Sequence, residues 1–147
     1  MDWMTQYLDA SELRDESLDR CARRIKEARA AIWSNLAEDL RRGLQHLSKR
    51  KPRSVDDGGL NWSQTTWRIR RIELPPYEVS VTLQEYSIMI EHEFKAVSTT
   101  PGEALLTLVD FCCDDQEQVC LMIDGKSVDI PCVSRCILEP IVSGKRP

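Results

Sequence analysis

No apolar run in this chain approaches the roughly 18 residues that a membrane-spanning helix needs, so no segment reads as a transmembrane helix. The first residues, Met1-Asp2-Trp3-Met4-Thr5, lack the basic-then-apolar layout of a secretory signal. Histidine is scarce. His46 and His92 are the only two, and neither stands in a nucleophile–base motif, so no catalytic constellation is legible. Nor do the six cysteines show the two-residue spacing of familiar zinc pairs. Together these absences predict an intracellular protein, cytoplasmic or nuclear, without enzyme activity, metal or cofactor. In a reducing compartment its cysteines are expected to be free thiols.

What is present is an ordinary composition, 41% hydrophobic and 30% charged over 147 residues. That suffices for one domain, or for a compact domain with a helical appendage. The net charge of −4 conceals a split. Residues 11–53 hold twelve Lys/Arg against seven Asp/Glu, whereas residues 54–147 hold eight against fifteen. Blocks of opposite sign can attract within one molecule, between copies, or toward other partners.

Leu18, Cys21, Ala22, Ile25, Ala28, Ile32, Leu36, Leu40, Leu44 and Leu47 recur at spacings of three and four. This predicts an amphipathic helix over about residues 11–50, roughly 60 Å long. Asp9-Ala10-Ser11-Glu12 offers a capping start; Lys49, Arg50 and Lys51 before Pro52 suit the C-terminal end. A break near Ser34-Asn35 would instead give a helical hairpin, and Gly43 weakens a continuous helix. Such a stripe is longer than one small domain shelters. Leu18, Ile25, Ile32, Leu36, Leu40 and Leu47 are therefore expected to form an assembly interface, coiled-coil-like, in a homodimer or heterodimer. Trp3, Met4, Tyr7 and Leu8 read as a separate short amphipathic segment folded back on that helix. The basic patch Lys49, Arg50, Lys51 and Arg53 invites an alternative, a nuclear or nucleic-acid-associated regulator. No aromatic interleaving supports direct nucleic-acid contact. Residues 54–66 read as a polar linker.

The remainder, 67–142, alternates. Trp67 and Ile69, continued by Ile72 and Leu74 after a one-residue slip at Arg71, suggest a short strand with a bulge, ended by Pro75-Pro76. Leu74-Pro75-Pro76-Tyr77 is read as a link between strands in preference to a proline-rich ligand. Tyr77, Val79, Val81 and Leu83 share one strand face, and after a turn near Gln84-Glu85 so do Tyr86, Ile88, Ile90, His92 and Phe94. Thr100-Pro101-Gly102-Glu103 has the form of a helix start, followed by Ala104, Leu105, Leu108, Val109 and Cys112 on one face. Val119–Ile123 and Lys126–Ile130 flank an Asp124-Gly125 hairpin turn. Cys136–Val142 are predicted as a closing edge strand, with residues 143–147 as a tail.

The hairpin from Tyr77, the helix opening Thr100-Pro101-Gly102-Glu103 and the stretch Leu121-Met122-Ile123-Asp124-Gly125-Lys126 give this region a ββαβββ order. In that order it resembles ubiquitin-like and Ras-binding-type β-grasp domains. The resemblance covers under half the chain and implies an α+β protein whose second half recognises another protein. The sequence ends Ser143-Gly144-Lys145-Arg146-Pro147, without the di-glycine of a conjugated modifier. Glu78, Glu85, Glu91 and Glu93 replace the basic hairpin of Ras-binding domains. They are expected to form an acidic recognition surface for a basic partner. An adaptor is the leading expectation; a pathogen-encoded antagonist of host signalling is a further alternative. Cys132 and Cys136, with Cys112 or Cys113 and Cys120, are the four ligands a zinc site would have to draw on.

Overall fold

The computed structural model describes residues 2–96 and 101–145. Helix α1 (Asp2–Arg50) leads into β1 (Val55–Asp56), β2 (Thr66–Arg71), β3 (Tyr77–Leu83), β4 (Ser87–Phe94), β5 (Glu103–Cys113), β6 (Val119–Ile123) and β7 (Lys126–Val128), and α2 (Ile130–Ser143) follows. The strands form one antiparallel sheet in the order β1-β2-β3-β4-β5-β6-β7, so each pairs with its sequence neighbour. The protein is thus α+β, a long N-terminal helix and a seven-stranded meander closed by a C-terminal helix.

Alternation explains which side of the sheet is covered. Trp67, Ile69, Tyr77, Val79, Val81, Ile88, Ile90, Val109, Phe111 and Leu121 are buried on the face that meets the helices. Against them lie Ile25, Trp33, Leu36, Ala37, Leu40 and Leu44 from α1 and Val133, Ile137 and Ile141 from α2. Trp33 stacks on Trp67 with ring centroids 3.6 Å apart. Their indole N–H groups donate to the carbonyls of Gln64 and Asn61, each at 2.8 Å, so two large rings are buried without stranding a donor. Gly43 serves close helix packing: a Cβ there would stand 2.7 Å from Leu138 Cδ1 on α2.

Four sequence expectations change. The segment opening at Thr100 is strand β5, not a helix. Thr100 itself lies outside the described residues; from Glu103 to Asp110 the chain pairs with β4 in eight registered positions. Leu105, Leu108, Val109 and Cys112 do satisfy a helical spacing, but hydrogen bonding to β4 decides the outcome. With that strand in place the sheet is a meander, and the β-grasp layout, which needs a helix between the hairpins, is not adopted.

The closing strand expected at Cys136–Val142 is helix α2. Asp129 caps it, accepting from the Cys132 amide at 2.8 Å, and Pro131 sits in the first turn where proline is tolerated. At the other end Gly144 takes the left-handed conformation, φ 68°, and its amide donates to the Pro140 carbonyl at 2.8 Å. The Arg71 guanidinium, from β2, donates to the Ile141 and Val142 carbonyls at 2.6 and 3.1 Å. A cation on the negative end of the helix thereby ties α2 to the sheet.

The 54–66 segment is not a free linker. It contains β1, which pairs with β2, and it buries Ser54 and Leu60. Finally, Cys21 and Cys113 are joined in a disulfide across a sequence separation of 92, so not all cysteines are free. Cys112, Cys120, Cys132 and Cys136 remain thiols.

Candidate protein interaction surface

Helix α1 runs unbroken through Ser34-Asn35, so the hairpin alternative is not realised. Its 49 residues give a length of about 73 Å. The helix also begins earlier than the Asp9–Glu12 cap implies, and Trp3, Met4, Tyr7 and Leu8 continue it rather than folding back. The expected interface stripe divides. Ile25, Leu36 and Leu40 are buried in the molecule's own core, and Ile32 and Leu47 are half-buried against it. Leu18 alone of the six is free of the core, at 60% exposed.

From Asp2 to Arg20 every residue is exposed except half-buried Ser11. This stretch, the arm, projects beyond the sheet. Its root is fixed at the β5–β6 turn by the Cys21–Cys113 disulfide and by Arg20 Nε donating to Glu117 Oε1 at 3.0 Å. Arg24 adds a bond to the Glu117 carbonyl at 3.0 Å. The turn itself is shaped by Asp114, whose carboxylate accepts from the amides of Gln116 and Gln118 at 2.9 Å each.

On the arm, Trp3 is 69% and Tyr7 64% exposed, with Leu8 open beside them and Leu18, 60% exposed, about 16 Å further along the helix. At about 100° per residue these side chains fall on the same helical face as Ile25, Leu36 and Leu40. The face that α1 lays on the sheet therefore continues outward, uncovered among the described residues. Phase was the signal sequence reasoning missed: it placed Trp3–Leu8 apart from the stripe instead of on its extension.

At the opposite end of α1, a groove of about 760 Å³ opens between the helix and the chain after β1. Leu44, Leu60 and Trp62 give it an apolar floor and rim, and Trp62 is 61% exposed. Arg41 and Lys49 flank it, with Asp57 on the far side. Arg41 is held in place, donating to the Leu60 carbonyl and the Glu38 carboxylate at 3.3 Å each. The basic patch Lys49, Arg50, Lys51 and Arg53 is exposed next to this groove.

Three of the acidic residues meet on the uncovered face of the sheet. Glu78 pairs directly with Glu93, and Glu91 lies one step along β4 on the same side. Like charges opposite one another cost stability in a sheet, and Arg70, paired with Glu78 on the other side, offsets this. Glu85 stands apart in the β3–β4 turn. Arg70 also donates to Asp56 at 2.6 Å, which with the Gly58 amide holds the Asp56 carboxyl below its usual range.

The two histidines and the free cysteines lie at separate places among the described residues. His92 is 1% exposed, and its Nδ1 shares a hydrogen bond with the Tyr77 hydroxyl. Its Nε2 has no partner among the described residues, and burial pulls its pKa down while pushing that of Tyr77 up. His46 is far away, exposed on α1. Cys112 and Cys120 face each other across β5 and β6, whereas Cys132 and Cys136 lie on α2. Cys113 is bridged, and among the described residues no three His, Cys, Asp or Glu side chains group as metal ligands. Burial raises the Cys112 and Cys136 thiols, with Cys120 and Cys132 respectively adding to the effect.

Among the described residues, no helix is long and apolar enough to cross a membrane. No protein-family model, curated protein or solved structure matches the chain.

Proposed function

We propose that this chain is a non-catalytic protein-interaction module that assembles through the α1 arm, with a second copy of the chain as its partner. The observation carrying this reading is the continuation of the core-facing stripe into Trp3, Tyr7, Leu8 and Leu18, where no part of the body covers it. Large aromatics are the side chains that anchor interfaces, and two of them lie one helical turn apart here. Exposed in water they would form the kind of apolar patch that marks a contact site. The uncovered sheet face with Glu78, Glu91 and Glu93 is proposed as a separate recognition surface for a basic partner.

The triple variant Trp3→Ser/Tyr7→Ser/Leu8→Ser tests the arm. These residues are exposed on the arm, so at concentrations low enough for both proteins to be monomeric the melting temperatures should agree, and at higher concentration the wild type should melt higher because its dimer stabilises the folded state. Size-exclusion chromatography at matched concentration should show the variant eluting later than the wild type, as a smaller species. Co-elution of the two at every concentration would contradict the reading.

A further inference from the structure

The assembly reading above leaves open where the arm is seated, and the charges on α1 address that. Residues 2–20 carry six acids, Asp2, Asp9, Glu12, Asp15, Glu16 and Asp19, against Arg14 and Arg20, a balance of −4. Residues 41–53 carry Arg41, Arg42, Lys49, Arg50, Lys51 and Arg53 and no acid at all, a balance of +6. The acidic end is an amphipathic helix with an unpartnered apolar face. The basic end flanks the groove whose apolar residues are Leu44, Leu60 and Trp62. A helix with aromatic anchors and acidic flanks suits a groove that Arg41 and Lys49 flank, where the one acid of the lining, Asp57, stands against the six basic residues of 41–53.

The two cannot meet within one molecule. From Tyr7 to Gln45 the helix is continuous, a span of about 57 Å at 1.5 Å per residue. A rigid rod separates the arm from its own groove, so the groove receives the arm of another molecule. Because arm and groove sit at opposite ends of α1, two copies packed antiparallel about a two-fold axis bring each arm to the other's groove. That exchange is reciprocal and closes on a dimer; a one-way contact would propagate into an open chain.

We therefore infer that the groove lined by Arg41, Leu44, Lys49, Leu60 and Trp62 is the receptor for the Trp3–Leu18 arm of a second copy. Interface area favours the reciprocal form. Trp3 and Tyr7 at about two-thirds exposure each offer on the order of 100–160 Å². With Met4, Leu8 and Leu18, one arm approaches the lower part of what a stable interface buries per partner. Two seats double that area.

Complementation between two variants tests the assignment. The first is the arm variant Trp3→Ser/Tyr7→Ser/Leu8→Ser, which keeps its groove. The second is Lys49→Glu/Trp62→Ala, which keeps its arm; both positions are exposed, and its thermal melt checks the fold. Each alone should self-associate at least roughly 100-fold more weakly than the wild type, as loss of anchor residues does. Mixed, they should form a heterodimer through the one intact arm and the one intact groove. Fluorescence anisotropy of the labelled groove variant titrated with the arm variant reads this directly. If the groove variant dimerises alone as strongly as wild type, the groove assignment is overturned while the arm reading stands. If the wild type shows no self-association, both fall. If each variant is monomeric and the mixture is too, the pairing of arm with groove is overturned.

Discussion

Removing the Cys21–Cys113 disulfide should cost more than any surface change in this protein, and the size of the loss can be worked out. The bridge closes a loop with a sequence separation of 92, linking the first body-contacting turn of α1 to the end of β5. In the chain-entropy account, cross-linking a loop of that length withholds about 4 to 5 kcal/mol of entropy from the unfolded chain. For a domain near this size each kcal/mol moves the melting temperature by about 2 to 4 °C. Reduction, or the double replacement Cys21→Ser/Cys113→Ser, should therefore lower it by about 8 to 20 °C. The folded state itself should survive, because Leu36, Leu40 and Leu44 still anchor α1 and Arg20 and Arg24 still hold Glu117. Two measurements are needed. Alkylation of the denatured, unreduced chain followed by mass spectrometry should add four groups, one for each free thiol, Cys112, Cys120, Cys132 and Cys136. After reduction it should add six. Six groups without reductant, or a melt indifferent to reductant, would refute the bridge and return Cys21 and Cys113 to the free state the sequence predicts.

Other consequences can be checked in the same preparations. Trp33→Ala should cost about 3 to 5 kcal/mol and remove most of the near-ultraviolet dichroism, since the ring stacks on Trp67 inside the core. An unchanged denaturation midpoint would contradict that stack. His92 has a folded-state pKa below the ordinary value of 6.5 because it is buried, so below that pH the unfolded chain binds more protons than the folded one. Its contribution to stability is thus complete above pH 6.5 and is lost as pH falls through the folded pKa; urea midpoints flat from pH 7 to 5 would refute this. A chain starting at residue 51 should be unfolded by proton NMR dispersion, because the sheet would lose its cover of Trp33, Leu36, Leu40 and Leu44. A well-dispersed spectrum would show that the sheet and α2 fold without α1.

The sequence made some elements plain and hid others for reasons that can be named. The β3–β4 hairpin was legible because Tyr77, Val79, Val81 and Ile88, Ile90, His92, Phe94 alternate strictly, and one covered face enforces that period. The existence of α1 was legible from its stripe, but the stripe's destination was not: a helix that packs on its own sheet and one that packs on a partner share the same spacing. Strand β5 was misread because Leu105, Leu108, Val109 and Cys112 fit the helical period and Pro101-Gly102-Glu103 imitates a helix start, while the strand's own inward face, Leu105, Thr107, Val109 and Phe111, includes a polar residue that blurs the alternation. What separates the two outcomes is pairing with β4, a non-local contact. In α2 the signal was present and overlooked. Asp129 with Pro131 marks a helix start, but Pro140 lies inside the helix, where it has no amide to donate to the Cys136 carbonyl, and that proline argued for an edge strand instead. The disulfide left no trace at all, since its cysteines lie 92 positions apart. As for the candidate site, the basic patch and the arm aromatics were visible as residues. Their relation was not, because it depends on α1 being one rigid rod with its acidic and basic ends held apart.

The central claim is that α1 joins two copies of the chain. Sedimentation equilibrium of the untagged protein over a hundredfold concentration range measures this most directly. A species of about 34 kDa, twice the 16.9 kDa chain, is expected, with a dissociation constant that rises with salt as the acidic arm and the basic end of α1 are screened. A mass that stays near 17 kDa throughout the range, at low and high salt alike, would contradict it.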